Sequence, residues 1–261
     1  MIDSHCHLNF NNIAKEIDKI IDNSKKNNIT SILSINTNPK NFQENLNLIN
    51  KFNGIYISYG LHPCEVESYE QLSTLEFDTY CSYKNVVAIG ETGIDLHYSK
   101  NSLKEQIKCF EKHIEASIKY ELPLIIHQRN SETEIIDVLK KYLKYDLKVV
   151  FHCFSGSKNL VNFCLDNNFF ISLSGIVTFK NSNLLRENIK NYPLNLILIE
   201  TDSPFLAPEP LRGKVNEPSY IKYTAEYLSK FYQIKFSEFE KITDENFFKL
   251  FSKAKKDNLL L

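Results

Sequence analysis

Residues 196–204 read LILIETDSP, and what Asp202 at their tail has to reach decides the fold. The unbroken apolar run is that of a strand covered on both faces. Ser203-Pro204 stops it at once. Its counterpart at the other end of the chain is MIDSHCHLNF, residues 1–10. There His5 and His7 stand two apart in extended chain, so both imidazoles project from one face. Between these ends, YGLHP (59–63), AIGETGID (88–95), LIIHQRN (124–130) and VVFHCFSG (149–156) repeat the theme of an apolar run ending in His, Glu or Asp. An open doubly wound sheet would hold its first and last strands too far apart for His5 and Asp202 to share an ion. In a closed barrel every strand C-terminus surrounds one site. The expected fold is therefore α/β, a TIM-type (β/α)8 barrel with a metal centre at one mouth, which points to a hydrolase.

The rest of the chain fits that expectation. Strand-like runs lie near residues 2–6, 31–36, 55–60, 86–91, 123–127, 148–152, 169–174 and 196–201, with helical periodicity between them. Leu103, Ile107, Phe110, Ile114 and Ile118 form one stripe at steps of three and four, which Ser102 and Glu105 open as a capping box. His113 sits beside that stripe and is expected at the surface. Eight β-then-α units call for parallel strands with right-handed crossovers. Residues from about 218 onward read as two extra closing helices, with Pro218 in the first turn of one. A length of 261 residues is close to the ~250 of a single barrel, and no linker or repeat interrupts it, so residues 1–261 are expected to form one domain.

Composition narrows the function classes. Apolar residues make up 43% of the chain, and the formal net charge is −1, so there is no basic excess for wrapping a duplex. Any nucleic acid has to be held locally, by ions and a few cations. Arginine occurs only at Arg129, Arg186 and Arg212 against a lysine-rich background, which makes each arginine more informative. The six cysteines form no CxxC pair, so neither a zinc ribbon nor a disulfide framework is indicated. Cys6, between two candidate ligands, is expected to face away from them. No apolar run reaches the ~18 residues of a membrane span, and no leader precedes His5, so a cytoplasmic protein is expected. Nothing calls for a membrane or an obligate protein partner.

Several residues are candidates for chemistry. Glu91 ends VVAIGE, and its two carboxylate oxygens can bridge two cations. Gly90 and Gly93 leave room for backbone and ions to approach. His127 and His152 end two successive strands. Arg129, two residues after His127, can present a planar fork to a phosphate. Asp202 suits a ligand that also accepts a proton from the attacking water. His62 can point inward toward a substrate oxygen or a further ion. Asp3, two residues before His5, can orient a histidine or be a buried hydrogen-bonding partner, and Asp95, four residues after Glu91, can be an orienting partner or a substrate contact. His97 and Lys214 read as loop residues.

Taken together, DSHCHL, GLHP, GETGID, HQR, FHCFSG, ETDSPFLAP and RGKVNEP, in this order, resemble the TatD family of metal-dependent hydrolases. TDENFFKLF near the C-terminus fits the same pattern. The resemblance implies a first metal on His5, His7 and Asp202, a second on His127 and His152, and Glu91 between them. It also implies a deoxyribonuclease that trims DNA ends, often single-stranded ones. On this reading Glu91 and Asp202 are catalytic, while His62, Arg129 and Arg212 contact phosphate oxygens. Two divalent ions are expected, zinc or manganese suiting the mixed ligands better than magnesium. Leu96-His97-Tyr98 and Asn130-Ser131 depart from the family pattern and bear on substrate preference. A small-molecule amidohydrolase with the same binuclear site is the alternative, and a non-catalytic binding barrel is a weaker one.

Overall fold

Eight apolar runs pair side by side in chain order, all parallel, as a single sheet β1 through β8. The computed structural model describes residues 1–69 and 76–260. Residues 70–75 and Leu261, part of the expected single domain, lie outside the described residues. β1 (Ile2–Cys6) leads through α1 (Asn11–Ala14) and α2 (Ile17–Lys26) to β2 (Ser31–Ser34). Then come α3 (Phe42–Ile49), β3 (Ile55–Tyr59), α4 (Phe77–Tyr80), β4 (Val86–Asp95), α5 (Leu103–Tyr120) and β5 (Leu124–Arg129). α6 (Glu132–Lys140), β6 (Val149–Phe151), α7 (Lys158–Asp166), β7 (Phe170–Leu173), α8 (Asn183–Ile189) and β8 (Ile197–Ile199) complete the ring. Two further helices, α9 (Ile221–Phe231) and α10 (Phe236–Leu250), close it, and Pro218 opens the 3-10 turn that enters α9. The alternation is that of the expected barrel.

The ring is sealed between its first and last strands by two backbone bonds. Asp202 N–H donates to the His5 carbonyl at 2.9 Å, and His7 N–H donates to the Ser203 carbonyl at 2.8 Å. Below them Ser4 Oγ donates to the Ile199 carbonyl at 2.9 Å. Asp3 accepts from Thr201 N–H and Oγ at 2.9 and 2.6 Å. Asp3 is thus the buried hydrogen-bonding partner of the opposite strand, and its carboxylate clamps the seam. The strands bury residues on both faces, and Leu, Ile, Val and Phe from them and from the facing helices form one continuous core.

Three expectations are corrected. Glu91 does not end its strand: β4 runs on to Asp95, because the register slips between Ile89 and Thr92 and pairing with β5 resumes, Gly93 opposite His127 and Asp95 opposite Arg129. Gly90 and Gly93 have φ of 125° and 140°, and a Cβ on Gly93 would lie 2.1 Å from the His127 carbonyl oxygen. Their freedom lets the backbone of β5 come close. His113 is fully buried, not at the surface. Its Nε2 accepts from Leu61 N–H at 3.0 Å, and its Nδ1 faces the Cys109 carbonyl at 2.8 Å. The loop after β3 leaves an unpaired N–H beneath α5, and an imidazole is what reaches it. The capping box is also absent: Ser102 Oγ donates to the Ser99 carbonyl instead.

Candidate metal centre

At the C-terminal mouth of the barrel, Glu91 stands among imidazoles at or just past the ends of β1, β3, β5 and β6. Its Oε1 lies 2.7 Å from His152 Nε2, 2.9 Å from His127 Nδ1 and 3.4 Å from His62 Nε2. Its Oε2 faces the other way, 3.5 Å from His5 Nε2 and 4.0 Å from His7 Nε2. Asp202 Oδ1 closes this second group at 3.3 Å from His7 and 3.7 Å from His5. The period-two geometry of β1 puts both of its histidines inside, while Cys6 turns its thiol toward the Leu33 carbonyl on the outside. Ligand atoms of His5, His7 and Asp202 converge on one point, and those of His62, Glu91 and His127 on another. His152 joins a third convergence, with His5 and Glu200.

Burial opposes charge on every one of these groups, and the neighbours decide the outcome. Burial works against the Glu91 carboxylate, but His152, His62 and His127 hold it well below the usual range. Asp202 is likewise held low against burial, chiefly by His7. Burial disfavours the imidazolium of His127, yet Asp95 and Glu91 raise its pKa. For His5 burial wins: burial, then the His152 ring stacked 3.9 Å from it, lower its pKa against the pull of Glu91 and Glu200.

The donor set fits divalent cations. Both ring nitrogens of His5, Nδ1 of His7 and of His152, and Glu200 Oε2 are buried with no hydrogen-bond partner. Unpartnered nitrogens and oxygens at this density are costly unless a ligand satisfies them. Imidazole with carboxylate is the chemistry of zinc or manganese sites. His127 carries its own orienting partner: Asp95 Oδ2 lies 3.0 Å from its Nε2, leaving Nδ1 for the centre.

Of the residues singled out in the sequence, the six candidate ligands and His62 are brought together. Arg129 and Arg212 are exposed, each with its guanidinium over a ring, Tyr98 at 4.5 Å and Phe179 at 4.3 Å. Lys214 is exposed. Ser131 is buried and donates to the Ile94 carbonyl, so this departure from the family pattern fastens β4 rather than facing substrate. Glu200 escaped the sequence reading. It is fully buried, accepts from Cys153 N–H at 2.7 Å and stands 3.5 Å from His152 Nδ1. The signal was its position two residues before Asp202 on an extended run. Asn216 was missed too; it donates to the Thr201 and Phe205 carbonyls and pins the loop after β8.

Comparison with known proteins agrees with this picture. The family model described as TatD related DNase matches residues 2–252. An uncharacterized metal-dependent hydrolase of Buchnera aphidicola subsp. Acyrthosiphon pisum is 41% identical, covering 97% of this chain and 99% of that protein. YcfH of Escherichia coli K12, an uncharacterized metal-dependent hydrolase, is 32% identical over 96% of this chain and 95% of its own. Among solved structures, the TatD homologue YJJV of Escherichia coli superposes with a TM-score of 0.90 at 24% identity, covering 97% of this chain and 98% of that one. An uncharacterized amidohydrolase of Saccharomyces cerevisiae shares the fold at a TM-score of 0.79 and 18% identity, over 95% and 99% of the two chains.

Proposed function

This chain belongs to the TatD family of metal-dependent hydrolases, and from that premise we propose that it is a two-metal deoxyribonuclease that trims the ends of DNA. The observation that carries the reading is the division of Glu91, one oxygen toward His62, His127 and His152 and the other toward His5 and His7. A carboxylate so divided would serve two ions, each held also by imidazoles on its own side. His5, His7 and Asp202 would hold one ion, and His127 and His152 the other. Two divalent ions held there would supply Lewis acidity to a phosphoryl oxygen and ease the ionisation of water. The protein's residues do the rest. Asp202, kept ionised by His7, accepts the proton at a carboxylate oxygen. Arg129, Arg212 and His62 hold phosphate oxygens and orient the ester. Asp95 fixes the ring of His127, so the centre is set before substrate arrives. No described helix is long and apolar enough to cross a membrane, which is consistent with the cytoplasmic location we propose.

The test is degradation of an end-labelled single-stranded DNA oligonucleotide by metal-stripped protein, with magnesium, manganese or zinc restored. A ladder that depends on metal and is absent with Glu91→Ala, in a variant that still unfolds cooperatively, is the expected result. Near wild-type turnover by Glu91→Ala would remove the mechanism. The shared fold of the yeast amidohydrolase keeps a second reading in view, hydrolysis of a small cyclic amide at the same centre. Opening of such amides by protein that leaves DNA intact would establish that reading instead.

A further inference from the structure

Exposed aromatic rings on soluble surfaces usually lie on pliable side chains with no fixed relation to a site. Two here are fastened to the candidate metal centre by their backbones. Phe205 N–H donates to the Asp202 carbonyl at 2.9 Å, and the Phe205 carbonyl accepts from the buried Asn216 amide at 2.7 Å. Its backbone is thus held on both sides while 47% of the residue stays open to solvent. Its ring meets Phe10 edge-on at 5.4 Å, and both rings flank His7, at 6.2 and 5.1 Å. The second is Tyr98, 68% exposed. Its N–H donates to Asp95 Oδ1 at 2.8 Å, the same carboxylate whose other oxygen contacts His127. The Arg129 guanidinium covers one face of its ring at 4.5 Å.

Strand order puts these two features on opposite sides of the mouth. Phe10 and Phe205 follow β1 and β8, at the seam. Tyr98 follows β4 and Arg129 ends β5, halfway round an eight-stranded ring. We propose that Phe205, backed by Phe10, and Tyr98, backed by Arg129, are stacking platforms for the nucleobases on either side of the phosphate being cleaved, an inference that rests on the nuclease reading above. A fixed ring with an open face suits a planar ligand. A base inside a duplex has no free face to offer, so the platforms take unpaired strands. Phenylalanine brings no hydrogen-bonding group to read a base edge, so stacking on it tolerates any sequence. A chain of net charge −1 gains through these rings the affinity that a basic groove supplies elsewhere.

The experiment compares two oligonucleotides on metal-loaded enzyme, one ordinary and one with abasic tetrahydrofuran residues over its terminal nucleotides. Wild type, Phe205→Ala, Tyr98→Ala and Phe205→Tyr are assayed for kcat/KM. A stopped-flow quench of a terminal 2-aminopurine, whose fluorescence falls on stacking, reports binding independently of turnover. Each alanine variant is expected to lose about tenfold or more on the ordinary strand, as a lost base stack implies. It should lose nothing on the abasic strand, which wild type already cleaves poorly, and the quench should shrink in parallel. Phe205→Tyr retains wild-type behaviour. Equal losses on both strands, or no loss, in an enzyme that does degrade DNA overturn the platforms and leave the nuclease standing. If loaded wild type cleaves neither strand and leaves the 2-aminopurine of the ordinary strand unquenched, the nuclease reading itself fails and takes the platforms with it.

Discussion

His113 shows how a single side chain ties sequence, burial and pH together. Its neutral imidazole is locked between the Leu61 N–H and the Cys109 carbonyl, and burial holds its pKa down to about 4. Above pH ~6.5 neither the folded nor the unfolded chain protonates it. As the pH falls from there toward 4 the unfolded chain takes up a proton and the folded one does not, so stability drops through this window, by roughly 3 kcal/mol in all. Denaturant unfolding at pH 7.5 and 5.0 should therefore show wild type losing about 2 kcal/mol more than His113→Gln; equal losses would place the titration elsewhere. At this scale the sequence was legible where a residue type implies a task. His5, His7, Glu91, His127, His152 and Asp202 are polar residues placed on apolar strands, and they meet. His113 was misread because the N–H it satisfies belongs to a loop more than fifty positions away, a partner that helical periodicity cannot disclose. Glu200 was missed because its neighbour Asp202 accounted for the motif alone.

Among the elements, the strands were legible and their exact ends were not. Apolar runs mark where pairing is buried, but the slip in β4 that carries it past Glu91 depends on what β5 offers across the ladder. α5 illustrates the same limit. Its apolar stripe announces the helix, while its most constrained residue is polar. Gln106 Oε1 accepts from Asp95 N–H at 2.8 Å, and its Nε2 donates to the Ser99 carbonyl at 2.6 Å and to Ser102 Oγ at 3.0 Å. The helix thereby holds the loop that presents Asp95 to His127. Gln106→Leu keeps the volume and strands these buried groups, at an expected cost of about 2–4 kcal/mol in unfolding free energy. The affinity for zinc, measured by competition with a chromogenic chelator, should fall as well, because His127 loses its fixed partner. Unchanged zinc affinity in a destabilised variant would confine Gln106 to structural support.

For the whole molecule, the centre is joined to stability. His5 and His7 come from the first strand's end and Asp202 from the last's, so an ion among them would tie the barrel shut where only a few hydrogen bonds seal it. Ions present at about a thousand times their Kd stabilise the fold by ~4 kcal/mol. For a chain of this length that is roughly a 10 °C rise in Tm. Calorimetry of stripped and reloaded protein should show the rise, and His5→Ala should remove most of it. A Tm indifferent to metal would mean that the ions sit elsewhere. The barrel itself was legible at this scale from one physical demand, that residues 5 and 202 share a site.

That demand also sets an order of events in the cell. A ribosome must extend the chain past Ser203, and clear that stretch from its exit tunnel, before β8 can reach β1. Through most of translation the two imidazoles of the first strand are an unfinished pair, open to whatever ion passes. The group of His5, His7 and Asp202 is therefore complete only once the ring closes, and a nascent chain cut short before β8 carries only part of it.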